Sequence, residues 1–314
     1  MAELLREIRA KWIPESLPPR DTFDGQTVLV TGGTGGLGLA TAKHFVNLGA
    51  AKVIITYRDK SRGEGAKQEI ATAARATGRG RVVIETMELD LSRYSSCISF
   101  VEELVRRTTN GIDFVVLNAG TFNSSFIMSP DGWEETIQAN TLSTALLAIL
   151  LIKWMKAGRQ NRQTPASLVF VSSGRHLTPD ISEWPEWEKR DGGILLHYKK
   201  ASNWPSDGAV DAMYATSKLL LMHVFEEICK LAVDAEGEPQ VIVKTVCPGI
   251  CNTDLSRALK ARSLIARIAI PLVMSVVGKS PEHGARYIVA AALAGRENHG
   301  KFIRFYMTDE EYRE

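Results

Sequence analysis

The sequence predicts an α/β fold, a single doubly wound parallel sheet. Two observations carry that prediction. Short apolar runs alternate with amphipathic stretches of helical period, and a glycine-rich turn lies directly between the first run and the first such stretch. In chain order the expected strands are Thr27 to Val30, Lys52 to Thr56, Val82 to Glu85, Phe114 to Leu117, Ser167 to Val171 and Val241 to Val246. All are rich in Val, Ile and Phe, the pattern of strands covered on both faces. The helices expected between them are Leu37 to Leu48, Gly63 to Ala76, Ser95 to Arg107, Gly132 to Met155 and Met213 to Val233, each with apolar residues at helical spacing. No repeat or linker divides the chain, so residues 25–306 read as one domain. An extension, residues 1–24, is expected to pack on the body, and residues 307–314 form a tail. Residues 174–211 interrupt the alternation and carry Trp184, Trp187 and Trp204 among prolines and charges. An insertion of that length in a compact domain is usually functional or mobile.

Composition narrows the function classes. The 314 residues hold 38 Lys and Arg against 36 Asp and Glu, a net charge of +2, which excludes a nucleic-acid-coating protein. Apolar residues at 45% and charged residues at 24% are those of an ordinary globular chain with a sizeable core. Four cysteines make neither a disulfide framework nor a metal site. Cys247 and Cys251, the one close pair, read as buried free thiols. Glu3, Arg6, Glu7 and Arg9 break up the start of the chain, so no secretory segment is expected and the expected compartment is the cytoplasm. No stretch reaches the roughly 20 uninterrupted apolar residues of a membrane span. Leu264 to Val277 comes nearest but contains Arg267 and Pro271. It reads as a buried helix pair or loop, with peripheral membrane contact left open.

The turn after the first strand is Thr31-Gly32-Gly33-Thr34-Gly35-Gly36-Leu37-Gly38. Glycines between strand and helix allow a tight bend, let a pyrophosphate approach the backbone, and aim the helix dipole and free N–H groups at it. The spacing Gly32, Gly36, Gly38 resembles the glycine motif of the short-chain dehydrogenase/reductase family. Further pieces match in order: Asp90, Asn118-Ala119-Gly120, Asn140, Ser173, Tyr214 with Lys218, and Pro248-Gly249 with Thr253. The resemblance spans about residues 25–306, and its pieces also resemble the retinol-dehydrogenase-like branch and fungal natural-product short-chain reductases. It implies a Rossmann-type fold and a cofactor site formed by Gly32, Thr34, Gly35, Gly36, Leu37 and Gly38. Asn118, Ala119 and Gly120 would line its adenine-ribose side, Asp90 and Leu91 would flank the adenine, and Pro248, Gly249, Ile250 and Thr253 would cover the nicotinamide. Asp90 reads equally well as the N-cap of the next helix.

At the end of the second strand the sequence runs Ile55-Thr56-Tyr57-Arg58-Asp59. An NAD site places a carboxylate there for the ribose 2′-hydroxyl. Arg58, followed by Lys60 and Arg62, would instead attract a 2′-phosphate, so the expected cofactor is NADP(H) rather than NAD(H). A solvated basic turn is the plainer alternative for Arg58, and Asp59 could still take the hydroxyl if the strand ends later.

Tyr214 and Lys218 stand four apart on a helix and share one face. A phenol is a poor acid-base catalyst at neutral pH, but an ammonium and an oxidised nicotinamide would both lower its pKa. Ser173, at the carboxyl end of the fifth strand, could donate to the substrate oxygen; Ser172 is its rival. The resemblance implies that Lys218 also holds the nicotinamide ribose and that Asn140 binds a water relaying protons to Lys218. A helix kink or a solvent-facing amide is the alternative for Asn140. Ser173 and Tyr214 lie 41 positions apart (214 − 173), longer than the family commonly shows, so residues 174–211 must loop out. Their three tryptophans read as a small satellite core or as a lid on a bulky substrate. The apolar Leu264 to Val277, within a substrate loop over 250–280, favours a lipophilic or aromatic carbonyl compound. Expected partners are that small molecule and, by resemblance, further copies of the chain in a homodimer or homotetramer. The competing class is a non-redox nucleotide-binding protein of the same fold, a sensor, scaffold or cyclase-like enzyme.

Overall fold

The computed structural model describes residues 11, 12, 14–205, 211–253 and 274–304. Residues 1–10, 13, 206–210, 254–273 and 305–314, on which parts of the expected extension, insertion, substrate loop and tail fall, lie outside the described residues. The elements in order are β1 (Thr27–Val30), α1 (Gly36–Asn47), β2 (Lys52–Tyr57), α2 (Lys60–Ala76), β3 (Val83–Glu88), α3 (Tyr94–Arg107) and β4 (Phe114–Leu117). A helical turn, Glu135–Ile137, and a π turn, Gln138–Leu142, then lead into α4 (Ser143–Ala157). There follow β5 (Ala166–Val171), α5 (Trp184–Asp191), α6 (Ile194–Tyr198), α7 (Ala212–Leu231), β6 (Val241–Val246), α8 (Pro281–Leu293) and β7 (Phe302–Ile303).

The strands form one sheet in the order β3-β2-β1-β4-β5-β6-β7, every pair parallel. The order reverses between β1 and β4, the switch point where open α/β sheets bind ligands. On one face α3, α4 and α7 bury Phe100, Leu104, Leu147, Leu151 and Phe225 against strand residues such as Leu29, Val115 and Leu168. On the other, α1, α2 and α8 pack Phe45, Ile70 and Ile288 against Val28, Val30 and Ile55. Phe23, ahead of β1, is fully buried here, with Phe45 and Phe114 edge-on to its ring. Farther back in the chain, the Glu15 carbonyl accepts from Arg286 at 3.1 Å. Among the described residues Glu135–Ala157 is the helix long and apolar enough to cross a membrane, and with 67% of its most apolar window buried it is a core helix of this domain.

Several expectations are corrected. The third strand runs over Val83–Glu88 rather than Val82 to Glu85, and it forms an edge of the sheet with Val83 half exposed, so it is not covered on both faces. The second helix starts at Lys60, a turn before Gly63, because the Asp59 carboxylate caps it by accepting from the Arg62 N–H at 2.9 Å. The long central helix starts at Glu135 rather than Gly132, which turns at φ 80°. Residues 174–211 are not one irregular loop, since α5 and α6 occupy their middle. Trp187 and Trp204 pack with Ile194, Leu195 and Tyr198 against Ile137 and Met213, which is the satellite core rather than the lid. Neither α8 nor β7 was foreseen. The Ser280-Pro281 pair, a cap followed by proline in the first turn, signals α8, whereas two residues of strand carry no period.

Candidate active site

The carboxyl ends of β1, β4, β5 and β6 open on one cleft. Its floor is the glycine turn, and two glycines show why no side chain is admitted there. A Cβ on Gly32, whose φ is +67°, would lie 2.9 Å from Ala119 Cα; one on Gly38 would lie 2.3 Å from the Gly32 carbonyl oxygen. Hydrogen bonds hold the turn in place. Gly32 N–H donates to Thr56 Oγ1 at 3.0 Å, Asn118 Nδ2 donates to the Thr31 carbonyl at 2.9 Å, and Thr31 Oγ1 accepts from the N–H groups of Asn118 and Ala119 at 3.0 Å each. Thr31 and Thr56 are structural supports of the turn that the sequence reading did not single out.

A cavity of about 330 Å³ stands over this floor. Thr34, Gly35, Gly36 and Leu37 border it on one side, Asn118, Ala119 and Gly120 on another, and Pro248, Gly249 and Thr253 on a third. Ser173, Tyr214 and Lys218 close its far end. An adjoining cavity of about 180 Å³ shares Gly32, Thr34, Ala119 and Gly120 and continues to Arg58, Asp90 and Leu91. Asp90 does not cap the next helix, whose N-cap is Arg93; its carboxylate accepts from the N–H and hydroxyl of Ser92 at 3.0 and 2.8 Å. Three expected residues do not border either cavity. Gly38 is buried behind the turn, Ile250 is 40% exposed outside it, and Asn140 lies behind Gly120.

Asn140 sits in the π turn, a helix irregularity common at functional sites. Its side chain is committed to the protein. Oδ1 accepts from Thr121 N–H at 2.8 Å, while Nδ2 donates to the Thr121 carbonyl at 2.9 Å and to Ser217 Oγ at 3.0 Å. Ser217 in turn donates to the Tyr214 carbonyl at 2.7 Å, so the amide braces the first turns of α7 against β4's loop. The amide does not face solvent: Asn140 is 1% exposed.

Of the two serines, Ser172 is buried with its hydroxyl on Met222 Sδ at 3.6 Å. The Ser173 hydroxyl lies beside the Tyr214 phenol and favours its ionised form. Lys218 is buried, donates from Nζ to the Val171 carbonyl at 3.0 Å, and lies 5.6 Å from the centre of the Tyr214 ring. Burial draws the Lys218 ammonium down to about 8 and pushes the Tyr214 phenol up. The phenol is thus shifted opposite to the sequence expectation, because within the chain burial outweighs the neighbouring cations. Cys247, which also borders the cavity, accepts at Sγ from Gly174 N–H at 3.3 Å.

At the end of β2, Asp59 is spent as a helix cap, accepting also from the Ser61 hydroxyl at 2.6 Å. Two guanidinium groups reach the cleft instead: Arg58 borders the smaller cavity, and Arg62 borders the larger one beside Gly35.

With this geometry in hand, comparisons identify the lineage. Residues 26–183 match the short chain dehydrogenase family. The chain belongs to the short-chain dehydrogenase/reductase family. It is therefore an oxidoreductase of the nicotinamide-dependent kind. It is 33% identical over 311 residues to the short-chain dehydrogenase/reductase ffsI of Aspergillus flavipes, covering 96% of this chain and 86% of that protein. The short chain dehydrogenase atnD of Emericella nidulans is 33% identical over 294 residues, 92% of this chain and 87% of the relative. Among solved structures, the Pseudomonas aeruginosa RhlG/NADP active-site complex superposes with a TM-score of 0.63 at 22% identity, covering 92% of this chain and 98% of that one. The 3-oxoacyl-[acyl-carrier protein] reductase of Brucella melitensis in complex with NAD gives 0.62 at 22% identity, covering 88% and 94%. These two likenesses concern the fold.

Proposed function

We propose that this short-chain dehydrogenase/reductase is an NADP(H)-dependent enzyme that interconverts a carbonyl and an alcohol on a lipophilic or aromatic small molecule, with Tyr214 as the general acid and base. The observation that carries the reading is the convergence of Tyr214, Ser173 and Lys218 on a cavity whose floor has no room for a Cβ. The glycine turn from Gly32 to Gly38 and the start of α1 would hold the pyrophosphate, with Asn118 to Gly120, Asp90 and Leu91 along the adenosine. Pro248, Gly249 and Thr253 would cover the nicotinamide, and Arg58 with Arg62 would take the 2′-phosphate that Asp59, already capping α2, leaves unopposed. When bound, the cofactor supplies or takes up the two reducing electrons and, oxidised, adds a positive charge beside the phenol.

The chain's own groups handle the proton. Ser173 donates a hydrogen bond to the reacting oxygen and stabilises the charge that grows there. Tyr214 gives its Oη proton to that oxygen in reduction and takes it back in oxidation. Lys218, lowered to about 8, stays mostly protonated at neutral pH and supplies a cation within reach of the phenolate. Asn140 acts at one remove, by bracing the start of α7. Phe122, packed on the Tyr214 ring at 5.6 Å, puts an apolar group beside the phenol and supports a lipophilic substrate. Self-association through α4 and α7 is part of the proposal, supported by Ile149 and Leu231, 47% and 51% exposed on those helices. Four cysteines without the spacing of a disulfide framework support a cytoplasmic location. A non-redox binding protein would have no use for a phenol, a serine hydroxyl and a lysine gathered at one end of the cavity.

Turnover of NADPH with a panel of lipophilic ketones and aldehydes tests this. Tyr214→Phe should lower kcat about 1,000-fold with cofactor affinity unchanged, and unchanged turnover refutes the assignment. Replacing Arg58 and Arg62 by Ala should raise KM for NADPH by about tenfold each and leave KM for NADH alone; equal effects remove the phosphate argument.

A further inference from the structure

The insertion runs over residues 174–211, and its two ends are tied together, one residue in from the first. Arg175 Nη2 and Asp211 Oδ2 form an ion pair at 2.5 Å. Each partner adjoins a residue of the proposed proton machinery. Arg175 donates its backbone N–H to Ser173 Oγ at 3.3 Å, and that hydroxyl lies beside the Tyr214 phenol. Asp211 is the N-cap of α7, three residues before Tyr214.

What Asp211 does not do is equally informative. Asp is among the strongest N-cap residues, its carboxylate ordinarily accepting from an N–H in the first turn. Here the Asp211 side chain makes no cap bond, and its carboxylate goes to Arg175. The helix forgoes its own cap to make a contact across the neck of the insertion. The turn on the other side is anchored as well: Gly174 N–H donates to Cys247 Sγ, and a ring nitrogen of buried His176 lies 2.7 Å from the Ser173 carbonyl.

We propose that Arg175 and Asp211 are positioning residues of the oxidoreductase: their ion pair closes the neck of the insertion, holds Ser173 in register with Tyr214, and balances the charge facing the phenol. The inference rests on Tyr214 as the acid and base. The groups facing that phenol are Ser173 and Arg175 from the turn after β5, Asp211 and Lys218 from α7, and Cys247 from the end of β6. Asp211 raises the phenol's pKa and Arg175 lowers it, so the two halves of the pair act on Tyr214 in opposite directions. Both partners are partly solvated, which keeps the expected effects modest.

The test is the pH dependence of kcat in the full-length enzyme with NADPH and one reducible ketone, for Arg175→Met, Asp211→Asn, Arg175→Lys and Tyr214→Phe. Arg175→Met should move the limb assigned to Tyr214 up by about half a pH unit and Asp211→Asn should move it down by a similar amount, each with kcat about fivefold lower and cofactor affinity unchanged. Arg175→Lys should restore most of both. Asn also caps helices well, so Asp211→Asn retains a folded α7, checked by circular dichroism. Opposite shifts are a signature that loosened packing does not produce. Profiles that coincide with wild type, or that move the same way in both variants, overturn the proposal while Tyr214→Phe is inactive. An active Tyr214→Phe overturns instead the assignment of the phenol.

Discussion

The two halves of the cleft are built by opposite means. Under the proposed pyrophosphate site, from Gly32 to Gly38, the shape comes from what is missing: the backbone of the turn approaches Ala119 so closely that a single methyl group would not fit. Around Tyr214 the shape comes from side chains drawn from distant parts of the chain: Asn140 and Ser217 hydrogen-bond in a line to its carbonyl, and Ser173, Arg175 and Asp211 are held to one another beside its phenol. A site made of bare backbone tolerates no addition. A site made of reaching side chains tolerates no deletion.

That contrast can be broken experimentally. The largest effect should come from the side-chain half: Ser173→Ala should lower kcat about 100-fold, whereas Ser172→Ala, whose hydroxyl faces Met222, should stay within about twofold. Comparable losses in both would mean that the serine next to the phenol is not the one that acts. In the backbone half, Gly38→Ala forces a Cβ to within 2.3 Å of the Gly32 carbonyl. It should cost about 1–3 kcal/mol of stability and weaken NADPH binding, read by thermal unfolding with and without cofactor. Wild-type affinity in that variant would show the turn to be looser than its contacts.

A third test lies away from the cleft and asks whether the sheet follows the same logic. Lys244 is fully buried in the middle of β6, donating from Nζ to the Ala292 carbonyl at 3.1 Å and also to that of Ala294, and burial lowers its pKa from 10.5 to about 7. The folded state therefore sheds this proton before the unfolded chain does, so the contribution to stability rises with pH between about 7 and 10.5 and is lost again as pH falls to 7. One such group gives a slope of at most about 1.4 kcal/mol per pH unit. Lys244→Met should flatten that slope in urea titrations run between neutral pH and pH 10, and an unchanged slope would show that another group sets it.

The parts of the site legible in the sequence are those where a local pattern carries its own physical reason. The glycine turn announces itself because only glycine permits φ +67° and a 2.3 Å approach in successive turns of chain between strand and helix. Tyr214 and Lys218 are legible as a pair because helical spacing puts both on one face. Asp59 was ambiguous for an equally local reason: a carboxylate near a strand end can bind a ribose or cap a helix, and the choice depends on where the strand stops. The supports of the site were not legible. Thr56 holding Gly32, Arg62 beside Gly35, and Arg175 reaching Asp211 involve residues separated by tens of positions, with no period or spacing to announce them.

By itself, then, the sequence determined the doubly wound sheet, its first six strands and the polar side chains that meet at the cleft, because alternation of apolar runs, helix spacing and glycine sterics all act over short stretches of chain. Tertiary structure decided the rest. It set which serine faces the phenol, turned Asn140 inward as a brace, made β3 an edge, folded the insertion onto Ile137 and Met213, and raised rather than lowered the phenol's pKa. Burial and long-range hydrogen bonds govern each of these, and both are properties of the packed molecule rather than of any segment.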